Sequence, residues 1–318
     1  MKAPRISVIV PTRNRRELLL RLLDSLFAQS LPADEYEIIV VNDGSVDGTS
    51  EAVARLAEQH PHLLLLERAQ GGPAAARNTA AYQAKGKYLA FTDDDCVASP
   101  RWLEKLVERL ERSQAVGVEG RTISNRREMT PLTHQMVNET GSYVVPTCNA
   151  AYRKDLFLKV GGFDEHFPYP HNEDVDLAWR IQEHGQIEFD SEALVDHPPR
   201  LESFSKMANR VRHLESEFLL FEKHPGKYQT HRSRSPWWTI YWKMFVIFQL
   251  KQQKSCCKYL IRQLKPAQFA IGTCLVLARA WKLLRFFPCY FRAYRSCTRM
   301  GFPAGVGLVR QNNAVRPG

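Results

Sequence analysis

Three consecutive aspartates, Asp93, Asp94 and Asp95, are the side chains of this 318-residue sequence best suited to chemistry. Adjacent carboxylates repel one another, so keeping all three ionised and close together is costly without a cation. Hard oxygen ligands favour Mg²⁺ or Mn²⁺, and either ion can also bridge phosphate oxygens. The alternative is a solvated acidic turn or a cap for a helix near Pro100. The apolar segment Tyr88-Leu-Ala-Phe91 favours the metal site, because a buried strand presents the residues that follow it at the edge of a cleft.

Two further residues suit the binding of a ligand. Asp43 stands beside Gly44, which lets the backbone turn tightly and approach a ligand, and its carboxylate can accept a hydrogen bond from a nucleobase imide. An ordinary strand-to-helix turn has the same composition. Arg77 follows Gly71-Gly72, one to two turns into a predicted helix, where it can pair with phosphate or hold Asp43. The alternative for Arg77 is a plain surface position.

A second group of polar residues lies later in the chain. Glu173 and Asp174 begin a predicted helix, where acidic residues are favoured as caps. Asp174 can instead take a proton from an attacking hydroxyl if it lies near the cleft. Gly162 lies in a turn upstream, and together with Glu173 it is a candidate for an acceptor pocket. His197 follows a predicted strand; an isolated histidine is more often structural, but at a strand end near the metal it becomes a candidate ligand.

The elements that must position these residues alternate between strand and helix. Apolar runs and helical spacing predict strands at 6–10, 36–41, 63–66 and 87–92, and helices at 15–29, 47–59, 73–84 and 100–112. This alternation predicts an α/β fold whose mostly parallel sheet is covered by helices on both faces. Ligands bind such sheets outside the carboxyl ends of the strands, where Thr12, Asp43 and Asp93 all lie.

Beyond residue 113 the alternation weakens. Further elements are nevertheless predicted: strands at 116–123, 143–152 and 185–195, a polar loop at 124–140, a helix at 174–184 and a charged helical region at 198–222.

Six short segments, taken in order, resemble glycosyltransferase family 2. They are Val8-Ile-Val-Pro-Thr-Arg-Asn14, Val41-Asn-Asp-Gly-Ser45, Ala76-Arg-Asn78, Thr92-Asp-Asp-Asp95, Gly161-Gly-Phe-Asp164 and Glu173-Asp174. Each segment is weak alone, but their order and spacing over residues 5–200 are specific. The resemblance implies a GT-A fold, a nucleotide-sugar donor, a divalent metal ion and inversion at the anomeric carbon.

The resemblance also implies a role for each candidate residue. The nucleotide-sugar site would comprise Pro11, Thr12, Arg13, Asp43, Arg77, Asp93 and Asp94. Asp95 and His197 would hold Mn²⁺ or Mg²⁺, and Asp174 would be the catalytic base that deprotonates the acceptor hydroxyl. A UDP-sugar is the donor most typical of the family, with GDP- and dTDP-sugars as alternatives.

Two departures from the family pattern bear on the acceptor. Relatives that polymerise processively carry a Gln-x-x-Arg-Trp segment after the base helix and several long membrane spans. Neither is found in this sequence, which favours a single transfer per binding event. Pro170-His-Asn172 stands where many relatives have Trp-Gly-Gly, so the identity of the acceptor stays open.

Charge divides the chain into two regions. Residues 223–318 contain 18 Lys and Arg and no Asp or Glu, so residues 1–222 carry the other 26 basic and all 34 acidic side chains. We predict a GT-A catalytic domain at 1–222 and a basic amphipathic helical tail at 223–318.

Within the tail, the apolar segments 236–250 and 267–287 are too short or too charged to span a membrane, which takes about 20 apolar residues. They are predicted to lie on an anionic membrane surface, near a lipid-linked or cell-surface glycan as acceptor. A helical subdomain or a dimer contact is the alternative. Nucleic-acid binding is disfavoured, because no recognisable module is present.

The cysteines and the first residues indicate location. The seven cysteines include no C-x-x-C pair, and residues 1–5 run directly into a strand rather than a signal peptide. We expect reduced thiols and a cytoplasmic protein that is peripheral on the cytoplasmic face of the membrane. The sequence leaves two alternative functions: a sugar nucleotidyltransferase, although residues 11–16 lack the expected glycine-rich loop, and a non-catalytic membrane-surface protein with the same fold.

Overall fold

The structure, a computed structural model, describes residues 3–124 and 132–240, together with residues 274, 277, 278 and 281. The chain divides into two compact units. The first contains residues 1–129 and 133–200, and the second contains residues 130–132 and 201–318. The change of charge at 222/223, which marked the predicted domain boundary, therefore lies within the second unit.

The first unit contains most of the strands and the longer helices. Its strands are β1 (Ile6–Thr12), β2 (Tyr36–Asn42), β3 (Leu63–Glu67), β4 (Tyr88–Phe91), β5 (Val97–Ala98), β6 (Gly117–Ile123), β7 (Thr133–His134), β8 (Ala150–Arg153) and β9 (Ile187–Asp196), and β10 (Arg200–Leu201) lies at its boundary. Its helices are α1 (Arg16–Phe27), α2 (Thr49–Gln59), α3 (Pro73–Gln83), α4 (Trp102–Arg112), α5 (Lys154–Lys159) and α6 (Glu173–Ile181).

One sheet organises this unit. Within residues 3–124 and 132–200 it has eight strands in the order β3-β2-β1-β4-β8-β6-β9-β5. The first four strands are mutually parallel. β8 is antiparallel to both β4 and β6, whereas β9 is parallel to β6 and β5 is antiparallel to β9. The predicted mostly parallel α/β sheet is confirmed.

Alternate residues of the central strands pack into two separate cores. Val8 and Val10 of β1 face the core that contains the apolar side of α1 and α4. Ile9 faces the opposite core, which contains α3 and α6. Helices therefore cover both faces of the sheet, and this double burial explains why the strands are continuous apolar runs rather than alternating ones.

Most predicted elements agree with the structure, but the strand predicted at 143–152 is wrong. Only Ala150–Arg153 form a strand, and Thr147–Asn149 form a single 3-10 turn. Val145 has a φ of 47° and Pro146 lacks an amide donor, so an extended ladder cannot continue through them. The helix predicted at 174–184 ends as α6 at Ile181 and continues only as a 3-10 turn. Of the predicted loop at 124–140, residues 125–131 lie outside the described residues.

The second unit is helical in its described part. It contains α7 (Phe204–Asn209), a 3-10 segment (Arg210–Glu215), α8 (Ser216–Lys223), α9 (Pro225–His231) and α10 (Pro236–Trp238). Glu217 is fully buried, where it pairs with Arg232 and accepts a hydrogen bond of 2.7 Å from the Tyr228 hydroxyl. Phe218 and Ile240 are also buried together, with Trp237 packed against them.

The predicted membrane-surface segments fall mostly outside the described residues. Of residues 236–250 the structure describes 236–240, and of residues 267–287 it describes four separate positions. None of the described helices has the length and apolar character needed to cross a membrane.

Candidate active site

The carboxyl ends of the central strands bring three predicted segments to one edge of the sheet. Thr12 ends β1 and pairs in register with Asn42, the last residue of β2, directly before Asp43. β4 ends at Phe91, two residues before Asp93. The Thr12 hydroxyl donates a hydrogen bond of 2.9 Å to Asp94, so the first and fourth strands are joined at this edge.

The first predicted binding segment divides between the interior and the surface. Pro11 is buried within β1, and Arg13 is exposed just beyond the strand. Arg15 extends back over the edge and pairs with Asp94 at 2.8 Å. Burial raises the pKa of Asp94 to about 6, although the neighbouring Arg15 charge opposes that change.

The Asp95 side chain is almost completely buried, with 2% of it exposed. Three cationic or ionisable groups lie close to its carboxylate. Arg200 Nη1 is 2.7 Å from Oδ2, Arg15 Nη1 is 3.6 Å from the same oxygen, and His197 Nε2 is 3.5 Å from Oδ1. Neither oxygen of the Asp95 carboxylate has a partner at hydrogen-bonding geometry. Arg200 carries no motif of its own and was not among the predicted site residues.

A metal ion fits the surroundings of Asp95. Ligand atoms of Asp95, Cys96 and His197 lie within 4.8 Å of one another, and all three residues are buried. The Asp95 oxygens and His197 Nδ1 lack hydrogen-bond partners. A carboxylate with an imidazole suits Mn²⁺ better than Mg²⁺, which prefers oxygen alone. Cys96 is the least suited of the three, because hydrogen bonding with Cys148 and burial raise the pKa of its thiol well above the usual range.

Arg77 links the aspartates to the start of α6. Its guanidinium donates to Asp93 at 2.7 Å and reaches Glu173 at 3.5 Å. Burial opposes ionisation of Asp93, but the charge and hydrogen bond of Arg77, together with the nearby His197 and Arg15 charges, outweigh it and hold the pKa of Asp93 below its usual range. Glu173 differs, because burial and the neighbouring Asp174 charge raise its pKa to about 8 against the weaker pull of Arg77.

Asp43 has a local structural role at the edge. Its two oxygens accept hydrogen bonds of 2.8 Å from the backbone amides of Gly71 and Gly72, which lead into α3. Arg68 Nε lies 3.5 Å from the same carboxylate, so Arg68 and not Arg77 is the arginine beside Asp43. The nucleobase contact expected of Asp43 stays a prediction.

The predicted base lies at the first turn of α6. Asp174 is half-buried, and its carboxylate accepts a hydrogen bond of 2.8 Å from the amide of Val175. Asn172 precedes the helix with a φ of 76°. This turn places Asp174 next to Glu173, and therefore close to the Arg77–Asp93 pair.

Gly162 lies in a turn that Asn78 holds in place. The Asn78 side chain accepts from the amide of Phe163 at 2.9 Å and donates to its carbonyl at 2.9 Å. Gly162 has a φ of 67°, and an added Cβ would come within 2.6 Å of Asn78 Oδ1. The turn is thus built on glycine, and Asn78 joins it to α3. Asn78 lies in the Ala76-Arg-Asn78 motif, but nothing in the sequence indicates this role.

The chain belongs to glycosyltransferase family 2, since the model described as Glycosyl transferase family 2 matches residues 7–170. It is 35% identical over 175 residues to glycosyltransferase AglE of Haloferax volcanii, covering 51% of this chain and 57% of that protein. It is 30% identical over 249 residues to the pre-mycofactocin glycosyltransferase of Mycobacterium tuberculosis, covering 70% of this chain and 48% of that protein. The chain thus spans only about half of the length of each of these two relatives.

Solved structures confirm the GT-A fold. The mannosyltransferase PcManGT from Pyrobaculum calidifontis, in complex with GDP-Man and Mn²⁺, has a TM-score of 0.58 and 23% identity, with 89% of this chain and 88% of that chain covered. S. aureus TarS 1–349 in complex with UDP has a TM-score of 0.53 and 21% identity, with 71% and 72% covered.

Proposed function

We propose that this chain is an inverting, metal-dependent and non-processive glycosyltransferase that moves a sugar from a nucleoside-diphosphate sugar to an acceptor hydroxyl. The observation that carries the proposal is the buried Asp95 carboxylate, which lies beside His197 at the sheet edge with both oxygens free of hydrogen bonds. Asp95 and His197 would hold Mn²⁺ or Mg²⁺. The ion would supply positive charge to stabilise the departing diphosphate.

The neighbouring aspartates would orient the donor. Asp93 is fixed by Arg77, and Asp94 is fixed by Thr12 and Arg15. Each carboxylate is therefore held in one direction before the donor arrives, which lowers the cost of ordering the site on binding. Pro11, Thr12, Arg13 and Asp43 would complete the nucleotide side of the cleft.

Asp174 would act as the base. Two adjacent carboxylates at the start of α6 have different surroundings, and such a difference separates acid from base roles. Glu173, with its pKa raised to about 8, holds its proton at neutral pH. Asp174 is half-buried at the helix start, where a negative charge is favoured. It would accept the proton of the acceptor hydroxyl, which attacks opposite the leaving group and inverts the anomeric carbon in one step.

The donor and acceptor are proposed by class. PcManGT is described with GDP-Man and Mn²⁺, and TarS with UDP, which supports a nucleoside-diphosphate sugar for this chain. A UDP-sugar remains the proposed donor. Because residues 223–318 carry only positive charge, we propose an anionic membrane surface as partner. The acceptor would be a lipid-linked or cell-surface glycan, with the protein peripheral on the cytoplasmic face.

A donor screen tests this function. UDP-, GDP- and dTDP-sugars are incubated with the protein and Mn²⁺, and release of the nucleoside diphosphate is measured. We expect release with one donor class, loss on chelation, and loss in Asp95→Ala and Asp174→Ala. Asp24→Ala, at an exposed position of α1, is the matched control and keeps full activity. Full activity in both site variants contradicts the assignment, and pyrophosphate release from a sugar phosphate and a nucleoside triphosphate indicates a nucleotidyltransferase instead.

A further inference from the structure

The contact between Arg200 and Asp95 differs from two other close arginine–carboxylate pairs, those of Arg180 with Asp176 and of Arg210 with Glu202. Arg180 and Arg210 each form two hydrogen bonds with a partner carboxylate, at 2.6 to 2.9 Å. Arg200 Nη1 lies equally close to Asp95, at 2.7 Å, yet the pair lacks hydrogen-bond geometry. Arg200 Nε is also buried without a partner. The guanidinium thus neutralises Asp95 without being aligned with it.

The position of Arg200 is set by the end of β9. The backbone amide of His197 is fixed by a hydrogen bond of 2.9 Å to Ile123, and two prolines separate His197 from Arg200. The prolines stiffen this segment, since their φ angles are restricted. The Arg200 side chain remains 22% exposed, whereas the Asp95 side chain is 2% exposed. Asp95 is therefore shielded from solvent, whereas the Arg200 side chain can reach it.

A metal cation and the arginine side chains compete for the negative charge of the Asp95 carboxylate. A cation that approaches this carboxylate meets Arg200, and also Arg15 at 3.6 Å, so it is repelled while both guanidinium groups stay in place. A diphosphate is a better partner for a guanidinium than a single carboxylate, because it offers more acceptor oxygens and more charge. The flexible Arg200 side chain can exchange one for the other.

We propose that Arg200 holds Asp95 in the ligand-free protein and transfers to the donor diphosphate when the donor binds, so that divalent cation and nucleoside diphosphate bind together and each binds weakly alone. This positioning role of Arg200 rests on the proposed function. Such coupling is reciprocal, because the factor by which the nucleotide tightens metal binding is the factor by which the metal tightens nucleotide binding.

Mn²⁺ binding tests the role of Arg200 without an activity assay. The full chain is titrated with Mn²⁺, with and without saturating UDP or GDP, and free Mn²⁺ is followed by electron paramagnetic resonance. The Mn²⁺ that the nucleotide binds by itself is measured in a protein-free titration and subtracted. We expect the nucleotide to tighten Mn²⁺ binding by about tenfold or more in the wild type, within the usual range of coupling. In Arg200→Gln we expect Mn²⁺ alone to bind about tenfold tighter and the coupling to shrink towards one.

Two further variants make the outcome specific. Arg200→Lys keeps the charge and is expected to keep the coupling. Arg109→Gln removes an arginine that pairs with Glu188 and Asp190, and is expected to change nothing. Equal Mn²⁺ affinity of the wild type with and without nucleotide overturns the inference, and that comparison needs no variant. The inference is also overturned if, without nucleotide, the Arg200→Gln protein binds Mn²⁺ no more tightly than the wild type does.

Asp95→Asn separates this inference from the proposed function. If this variant still binds Mn²⁺ tightly in the presence of nucleotide, the metal site itself is wrongly assigned. If it loses that binding while Arg200→Gln behaves as the wild type, only the role of Arg200 is wrong.

Discussion

At the scale of single residues, Arg77 explains why two nearby carboxylates ionise differently. Arg77 is 4% exposed and must keep its charge compensated inside the protein. Asp93, at 2.7 Å, is its hydrogen-bonded partner, whereas Glu173, at 3.5 Å, is held more weakly. Burial and the neighbouring Asp174 charge favour the protonated form of Glu173, and the more distant Arg77 does not overcome them. Glu173 is therefore a neutral neighbour of the proposed base at physiological pH.

This protonation makes stability depend on pH. Glu173 has a folded-state pKa of about 8, above its ordinary value of 4.5, so the folded state binds the proton more tightly than the unfolded state. The resulting stabilisation is complete below about pH 4.5 and is lost as pH rises through about 8. We expect the unfolding free energy of the wild type to fall between pH 5 and pH 8 more steeply than that of Glu173→Gln. Denaturant titrations at a series of pH values measure both slopes, and identical slopes contradict the assignment.

Replacing Arg77 tests its interactions with Asp93 and Glu173. Arg77→Met leaves Asp93 without its partner and is expected to cost about 3 kcal/mol, the low end for a broken buried pair, because Asp93 is partly exposed. A double-mutant cycle with Glu173→Gln gives a small coupling at pH 7, where Glu173 is neutral. The coupling grows by pH 9, where Glu173 is charged. A cycle that gives the same large coupling at both pH values shows that Glu173 is ionised throughout.

The sequence identified these residues without identifying their partners. Arg77 and Glu173 were candidates because of their motifs, but they are 96 positions apart and nothing in either motif indicates their contact. Asp43 was expected to face a ligand, and the structure shows that its carboxylate also fastens the Gly71-Gly72 turn. The sequence does not single out Arg200, which stands after two prolines with no pattern around it. Its approach to Asp95 depends on the path of the chain from β9 into β10.

At the scale of elements, the junction of β6 and β9 places His197. The two strands are parallel, with a shift of register between Gly120 and Arg121. Asn149 fills the space beside Gly120, donating to the carbonyls of Arg121 and Ala193 at 2.9 Å. It also accepts a hydrogen bond of 2.8 Å from the Trp102 indole of α4. This one side chain therefore fixes both strands and a helix just before β9 reaches the metal site.

Gly120→Ala tests that junction. An added Cβ would overlap both the Asn149 amide and the Ala193 carbonyl, and a backbone oxygen cannot easily move aside. We expect a loss of about 3 kcal/mol in unfolding free energy, the upper end of overpacking costs, and weaker Mn²⁺ binding in the presence of nucleotide. Gly226→Ala is the matched control, because an added Cβ there meets no atom within 4 Å. Equal stability of Gly120→Ala and the wild type contradicts this account of the junction.

How well the strands and helices can be predicted depends on the periodicity of their apolar residues. The first four strand–helix pairs were predicted within a few residues because continuous apolar strands and amphipathic helices have clear periods. The segment at 143–152 has similar composition, yet it is mostly not a strand. Its conformation is imposed by Val145 and by the packing of Asn149, and both effects come from contacts distant in sequence.

At the scale of the whole molecule, the excess of positive charge lies near the end of the chain. Residues 1–240 carry 30 Lys and Arg against 34 Asp and Glu, whereas residues 241–318 carry 14 Lys and Arg and no acidic residue. Residues 1–240 are thus mildly acidic on their own. Attraction to an anionic surface is therefore expected mainly from residues 241–318, and it should weaken with salt, as exposed charges are screened.

The place to cut the chain follows from the packing of the second unit. A truncation near residue 230 would remove Arg232, the partner of the fully buried Glu217, and would expose Phe218 by removing Ile240. Removing only residues 241–318 keeps these contacts.

We expect the full chain to sediment with vesicles containing phosphatidylglycerol at low salt, and less so at high salt. The truncated chain should stay in solution while donor hydrolysis continues, because every proposed site residue precedes residue 201. Equal sedimentation of both proteins would refute the membrane-surface role of the tail, and loss of hydrolysis would show that the tail also serves the active site.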